Sequence, residues 1–382
     1  MELNNTTRAL IYLMRCALQD IKPEPIQDLD YEVLYKLSCN HSVVAMVAMA
    51  LESGDLLTEQ YTTPEIIKKW KDAKVKAIRK NILLDTEREE ILSYLEAQGI
   101  WYLPLKGSIL KDMYPKMGMR QMADNDILFD ISGQYLVKDY MVSRGYQVVD
   151  FDRDHHDVYE KPPVYNFEFH TSLFSKVTDA EWDAYYENIT ERLIKDDNKN
   201  FSYQFTDEDF YIYVLLHGYK HFSEGGTGIR FLADIFVFMQ KKGRQLDEAY
   251  LTRELGILKI DAFEKQTREL AFKLFREDAC SLMEEEQKIL DYLMGAGTYG
   301  TVENRVSNKL EKMQGTEGPV SGWTKVKYAL GRAIPSVEYM KLYSPFCRKH
   351  PWSIPFFWVY RWIRAATVRR KNVMAEFKAV KK

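Results

Sequence analysis

Cysteine is scarce in this chain. Four of the 382 residues are Cys16, Cys39, Cys280 and Cys347, and no two form a Cys-x-x-Cys pair. A chain of this length builds a core large enough to need no disulfide or metal staple. The opening "MELNNTTRAL" carries no secretory pattern, so the four are expected to be reduced thiols of a cytoplasmic protein. No stretch reaches the ~18 uninterrupted apolar residues of a spanning helix, and internal repeats and low-complexity linkers are absent as well. Positive charge is outweighed over most of the length. The formal charge is −3, yet residues 341–382 hold eleven Lys/Arg against the single acid Glu376, which leaves the first 340 residues at −13. An acidic body is a poor platform for a long nucleic acid. It suits a small substrate whose charge is met by local basic residues or by metal.

What is present is an ordinary globular balance, 46 % hydrophobic and 29 % charged, so a packed core is expected. Residues 6–95 read as helical: "TRALIYLMRCAL", "YEVLYKLSC" and "SVVAMVAMALES" place apolar residues three and four apart. A Thr-Pro-Glu start at Thr63 opens a pattern that runs to Gly99 as one long helix, intact or broken. The texture then changes. "IWYLPLKG", "DNDILFD" and "YQVVDFD" read as strands separated by the short helix "SILKDMYP" and the helix "GQYLVKDYMVSRG". "HDVYEK" and "VYNFEFH" read as a hairpin around Pro162-Pro163. After residue 178 helical texture returns and continues to the end. The expected class is α+β: a small mixed-sheet core at 96–178 between helical regions at 1–95 and 179–382.

In "DNDILFD" residues i and i+2 of a strand share a face. Asp124 and Asp126 therefore present two carboxylates to one side, and Asn125 faces the other. Like charges so close need a positive partner. A hard divalent cation, Mg²⁺ above all, is the natural occupant, and a two-ion site clamps both oxygens of an in-line displacement. An isolated Asp-x-Asp also occurs as a solvated turn, so further signals matter. "VYNFEFH" alternates: Tyr165, Phe167 and Phe169 on one face, Asn166, Glu168 and His170 on the other. That offers Glu168 as a third carboxylate, with Asp154 and Asp157 as rivals in a polar stretch. "LKGSIL" adds a glycine after a strand, where backbone comes close to a ligand and N–H groups favour phosphate. Lys106 brings a point charge and Ser108 a hydroxyl.

The order strand, Gly-Ser, helix, Asp-x-Asp strand, later acidic strand resembles the polymerase-beta-type nucleotidyltransferase superfamily. More narrowly, "LPLKGSILKDMYPKMGMRQMADNDILF", "FEFH" and "LLHGYKHFSEGGTGIRFLADIFVF" resemble an uncharacterised bacterial nucleotidyltransferase family, over roughly residues 80–240. The resemblance implies that Gly107 and Ser108 contact the nucleotide's phosphates and that Asp124, Asp126 and Glu168 hold two Mg²⁺ or Mn²⁺ ions. Two features depart from the wider superfamily and fit the narrower family: the fifteen residues between Ser108 and Asp124, and glutamate as the third carboxylate.

In "LLHGYKHF" His217 and His221 share a helix face. They are either core histidines capped by backbone or cleft residues that, with Lys220, meet triphosphate or acceptor. Arg120 and Arg230 are further phosphate candidates, and Asp234 is placed to orient Arg230 or a histidine. The tail "PWSIPFFWVYRWIRAATVRRKN" is expected to pack its aromatics on the acidic body with its arginines outward. Peripheral contact with anionic lipid is the alternative. The expected activity is transfer of a nucleoside monophosphate from NTP·Mg²⁺, ATP by default, to the hydroxyl of a small molecule or protein. Readings from other classes are a non-catalytic nucleotide- or protein-binding relative, and a toxin–antitoxin partner acting by nucleotide transfer to protein.

Overall fold

A computed structural model describes residues 4–276, 282–315 and 319–381. Cys16, Cys39 and Cys347 are free thiols, and Cys280 lies outside the described residues. Four helices lead in: α1 (Asn5–Gln19), α2 (Tyr31–Asn40), α3 (Val44–Ser53) and α4 (Pro64–Ala97). The last is a single unbroken rod. Thr63 caps it by accepting from the Ile66 N–H, Pro64 sits where a missing N–H costs nothing, and 34 residues carry it about 50 Å.

The sheet follows. It comprises β1 (Tyr102–Pro104), β2 (Asn125–Phe129), β3 (Gln147–Asp150), β4 (His156–Lys161) and β5 (Tyr165–His170), in spatial order β1-β2-β5-β4-β3. Only the central β2–β5 pair is parallel. Between β1 and β2 lies the single turn of helix α5 (Gly107–Leu110), and between β2 and β3 lies α6 (Gln134–Ser143). One face of the sheet is apolar as the alternation requires: Ile127, Phe129, Tyr159, Phe167 and Phe169 pack with Leu84 and Ile91 of α4 and with Val137 and Met141 of α6. The other face carries Asp126, Glu168 and His170.

Asn125 shows why the aspartates face the way they do. It points toward α4, where its amide accepts from Arg88 at 3.0 Å and donates to the Leu84 carbonyl at 3.2 Å. Both partners of a buried amide are thus satisfied. A one-residue slip would lose them and turn Asp126 into the apolar layer.

Beyond the sheet come α7 (Ala180–Tyr185), α8 (Asp207–Glu224), α9 (Arg230–Lys242), α10 (Glu248–Ile257), α11 (Asp261–Phe275), α12 (Glu284–Ala296) and α13 (Val302–Gln314). The expectation of purely helical texture after residue 178 needs one correction. β6 (Leu193–Lys195) and β7 (Tyr203–Phe205) form a small antiparallel pair, and the Phe201 carbonyl just before β7 accepts from the Tyr102 N–H. Three-residue strands around an Asp196 turn are too short to show alternation. A continuous apolar cluster, with members from Leu10 to Leu293, joins the leading helices to those after the sheet.

His41 ties the two helical regions together. It is fully buried, and its Nδ1 accepts from the Ile229 N–H at 3.4 Å, in the loop between α8 and α9. Burial lowers its pKa to about 4, against about 6.5 for an unfolded histidine. The unfolded chain therefore takes up the proton first: the contribution is intact above pH 6.5 and lost as pH falls toward 4. At pH 5 the loss is on the order of 2 kcal/mol. His41→Gln cannot titrate, so denaturant unfolding should show wild type losing that much more stability than the variant between pH 7 and pH 5.

The tail forms α14 (Gly322–Ala333), α15 (Val337–Tyr343), α16 (Pro345–Lys349), α17 (Ile354–Thr367) and α18 (Arg370–Lys381). Its aromatics do not all pack as expected. Phe357 and Trp358 join a small cluster with Met340, Cys347 and Ile354, while Trp352 (69 %), Phe356 (70 %) and Phe377 (60 %) stay exposed. The tail meets the body elsewhere: Ala379 and Val380 of α18 lie against Val306 and Leu310 of α13. No helix among the described residues is long and apolar enough to cross a membrane.

Candidate active site

A cleft of about 500 Å³ opens over the polar face of the sheet, a volume that suits a nucleotide-sized ligand. Its floor is set by strand register. Asp126 of β2 is the direct partner of Glu168 of β5, and paired residues on neighbouring strands share a face. Asp124, one residue before β2, lines the same cleft.

The positive group that these carboxylates require is Lys106. The Leu105 N–H donates to the Asp126 carbonyl at 2.9 Å, continuing the β1–β2 ladder. Lys106 then turns with φ 45°, a conformation uncommon for a side-chain-bearing residue. Its Nζ ends 3.1 Å from Asp126 Oδ1, and His170 Nε2 lies 2.9 Å from the same oxygen. Burial pushes the Asp126 pKa up, but Lys106 and His170 outweigh it and hold the carboxyl well below the usual range. An ionised Asp126 only accepts, so His170 Nε2 carries the proton.

The other two carboxylates remain short of positive charge. Burial and then Asp126 raise the pKa of Asp124. Burial, Asp126 and Asp124 push Glu168 up to about 8. Three converging carboxylates with one ammonium among them form a donor set that fits a hard divalent cation. Asp126, Glu168 and His170 also present ligand atoms within 4.8 Å of one another.

A family model described as an uncharacterised nucleotidyltransferase matches residues 27–276. The chain belongs to that nucleotidyltransferase family. The match takes in the whole five-stranded sheet and α2–α11, and it ends before α12. No curated protein matches the chain, and no solved structure does.

The cleft of this family member is lined by Lys106, Gly107, Arg120, Asp124, Asp126, Glu168, His217, Lys220, His221 and Arg230. His217 and His221 stand on the α8 wall with Nε2 atoms 3.2 Å apart. Removal from water, then the Lys106 charge, lowers both their pKa values. They are neutral at pH 7. Arg230 lines the cleft while its NH1 donates to the Gln121 carbonyl at 3.0 Å.

Three residues are employed differently from expectation. Ser108 is buried, and its hydroxyl turns back to donate to the Leu105 carbonyl at 2.8 Å. Arg120 forks onto Asp234, Nε to Oδ1 at 2.7 Å and NH2 to Oδ2 at 3.0 Å, with the Tyr114 hydroxyl donating to Oδ1. Asp234 accordingly orients Arg120, and neither Arg230 nor a histidine. Gly107 is required on this side: a Cβ there would stand 2.5 Å from Arg120 NH1. Among the rivals of Glu168, Asp157 sits in β4 opposite Phe169, on the far side of the sheet. There it accepts from Gln134 and from the Asp152 N–H.

Sequence reasoning missed four contributors. Asp179 pairs with Lys220 at 2.8 Å. Arg305 at the start of α13 reaches the cleft from outside the matched family region. His155 and His156 crowd Glu168 and His170. The doublet in "DRDHHD", which leads into a strand paired to Glu-x-His, was the legible signal for the last two.

Proposed function

We propose that the protein transfers a nucleoside monophosphate from NTP to the hydroxyl of a small molecule or protein. The pairing of Asp126 with Glu168, with Asp124 beside them and Lys106 among them, carries this reading. In the reaction a bond forms between the acceptor oxygen and the α-phosphorus. The bond from that phosphorus to the β-phosphate oxygen breaks, and pyrophosphate leaves with the electron pair.

Asp124, Asp126 and Glu168 hold the divalent ions. Once bound, Mg²⁺ or Mn²⁺ supplies charge that neutralises the phosphate oxygens. Lys106 and Arg230 bring the chain's own charge to the triphosphate, and Lys220, steadied by Asp179, adds to it from α8. Glu168, its pKa raised to about 8 by burial and its acidic neighbours, would be held ionised beside a bound cation, and its carboxylate then orients the acceptor hydroxyl and accepts its proton. Most of the catalysis is positioning and electrostatics, as is general for phosphoryl-group chemistry.

The test is incubation of purified protein with α-labelled NTPs, Mg²⁺ or Mn²⁺ and a cell extract, with label expected on a small molecule or a protein. Calorimetry supplies a second arm. NTP binding should need the divalent ion and should weaken at least ~10-fold, or ~1.4 kcal/mol, in Asp124→Asn. Equal affinity in the presence of chelator would overturn the metal assignment.

A further inference from the structure

Three imidazoles meet at the end of the β4–β5 pair. His156 and His170 are direct cross-strand partners, and His155 immediately precedes β4. Their ring centroids lie 4.5, 5.2 and 5.8 Å apart. A ring nitrogen of each lies within 4.8 Å of those of the other two. His155 Nε2 and His156 Nδ1 are 3.3 Å apart. That is about the separation of two nitrogens on one tetrahedral ion with metal–nitrogen bonds of 2.0–2.1 Å.

One ring is backed by a carboxylate: His170 Nε2 hydrogen-bonds Asp126 Oδ1 at 2.9 Å. His155 Nδ1 lies 3.3 Å from Asp154 Oδ2 and His156 Nε2 3.9 Å from Glu168 Oε2, neither in a hydrogen bond. Metal-bound histidines characteristically have the arrangement seen at His170, in which a carboxylate behind the ring fixes its tautomer and raises its basicity. An N–H···N bond between His155 and His156 would account for that pair alone. It leaves His170 Nδ1 and His155 Nδ1 buried without a hydrogen-bond partner, and such groups are costly unless something else meets them.

We propose that His155, His156 and His170 form a separate metal site of imidazole type, which takes a zinc-class transition ion. Imidazole donors select zinc and its transition-metal neighbours, whereas Mg²⁺ prefers oxygen. All three rings line the cleft, so three protein ligands leave a further coordination position facing it. His170 links this site to the carboxylates: Nδ1 serves the ion while Nε2–H holds Asp126. The assignment stands on the histidines and does not depend on nucleotide transfer.

The test uses full-length protein stripped by chelator and titrated with Co²⁺. One equivalent should give the visible absorption of a tetrahedral nitrogen-bound ion, which Zn²⁺ abolishes and millimolar Mg²⁺ leaves unchanged. The double variant His155→Ala/His156→Ala should lose the band and bind Zn²⁺ at least ~10-fold more weakly, whereas Asp124→Asn should keep it. X-ray absorption of the Zn²⁺-loaded wild type needs no variant and should show imidazole scattering around the ion. A shell of oxygen alone, displacement by Mg²⁺, or an unchanged band in the double variant would each overturn the site.

Discussion

Glu168→Gln should lower nucleotide transfer by at least ~100-fold, equivalent to ~2.7 kcal/mol of transition-state stabilisation, with Mg²⁺-dependent NTP binding largely retained. The substitution keeps the size of the side chain and its hydrogen bonding but removes the charge. In the fold that carboxyl lies beside Asp126 on the neighbouring strand, so under the proposed mechanism the ion site would lose one of its three carboxylate ligands and the acceptor hydroxyl would lose its base. NTP binding rests more on Asp124, Asp126 and Lys106, which the change leaves in place. Asp157→Asn and Asp154→Asn should transfer within a few-fold of wild type. Asp157 is on the far face of the sheet, and its loss is felt by Gln134 and the Asp152 N–H instead. Initial rates with labelled NTP decide the matter. The opposite ranking would mean that the third carboxylate comes from the start of β4.

The floor of the cleft was legible in the sequence because strand alternation is a local property. "VYNFEFH" and "DNDILF" each declare which residues share a face, and the fold adds only the register that sets Asp126 against Glu168. The need for a positive partner was equally visible. That Lys106 itself supplies it was not, because its reach to Asp126 depends on how β1 pairs with β2. Other misses have the same origin. Lys220 finds Asp179 forty-one residues away, and no pattern within α8 announces that partner. Ser108 looks like a phosphate contact when read beside Gly107. In the folded turn its buried hydroxyl donates to the Leu105 carbonyl instead, which satisfies a group that would be costly to bury unpaired. β6 and β7 are too short for periodicity to mark. The start of α4, with its cap and proline, and its end near Gly99 were readable, whereas its running unbroken between them was not.

Arg120 offers the sharpest separation between a ligand-binding and a structural assignment, because sequence and structure give it different partners. Arg120 and Asp234 side chains are only 9 % and 8 % exposed. Their fork is reinforced by the Tyr114 hydroxyl, and Asn81 on α4 donates to the Arg120 carbonyl. Burial opposes the guanidinium charge, and Asp234 restores it. Asp234→Ala removes the partner and strands a buried cation, which should cost about 3–5 kcal/mol of stability. Replacing both members, Arg120→Met with Asp234→Leu, removes the unpaired charge along with the pair and should cost clearly less than either single change. The coupling energy is then read from the double-mutant cycle in denaturant unfolding. The consequence for function is indirect. A Cβ at Gly107 would collide with Arg120, so the pair backs the turn that presents Lys106, and a loosened pair should raise the nucleotide KM of molecules that remain folded. If Asp234→Ala cost under about 1 kcal/mol while Arg120→Ala alone abolished nucleotide binding, Arg120 would be a phosphate ligand and the buried fork would not describe its resting partner.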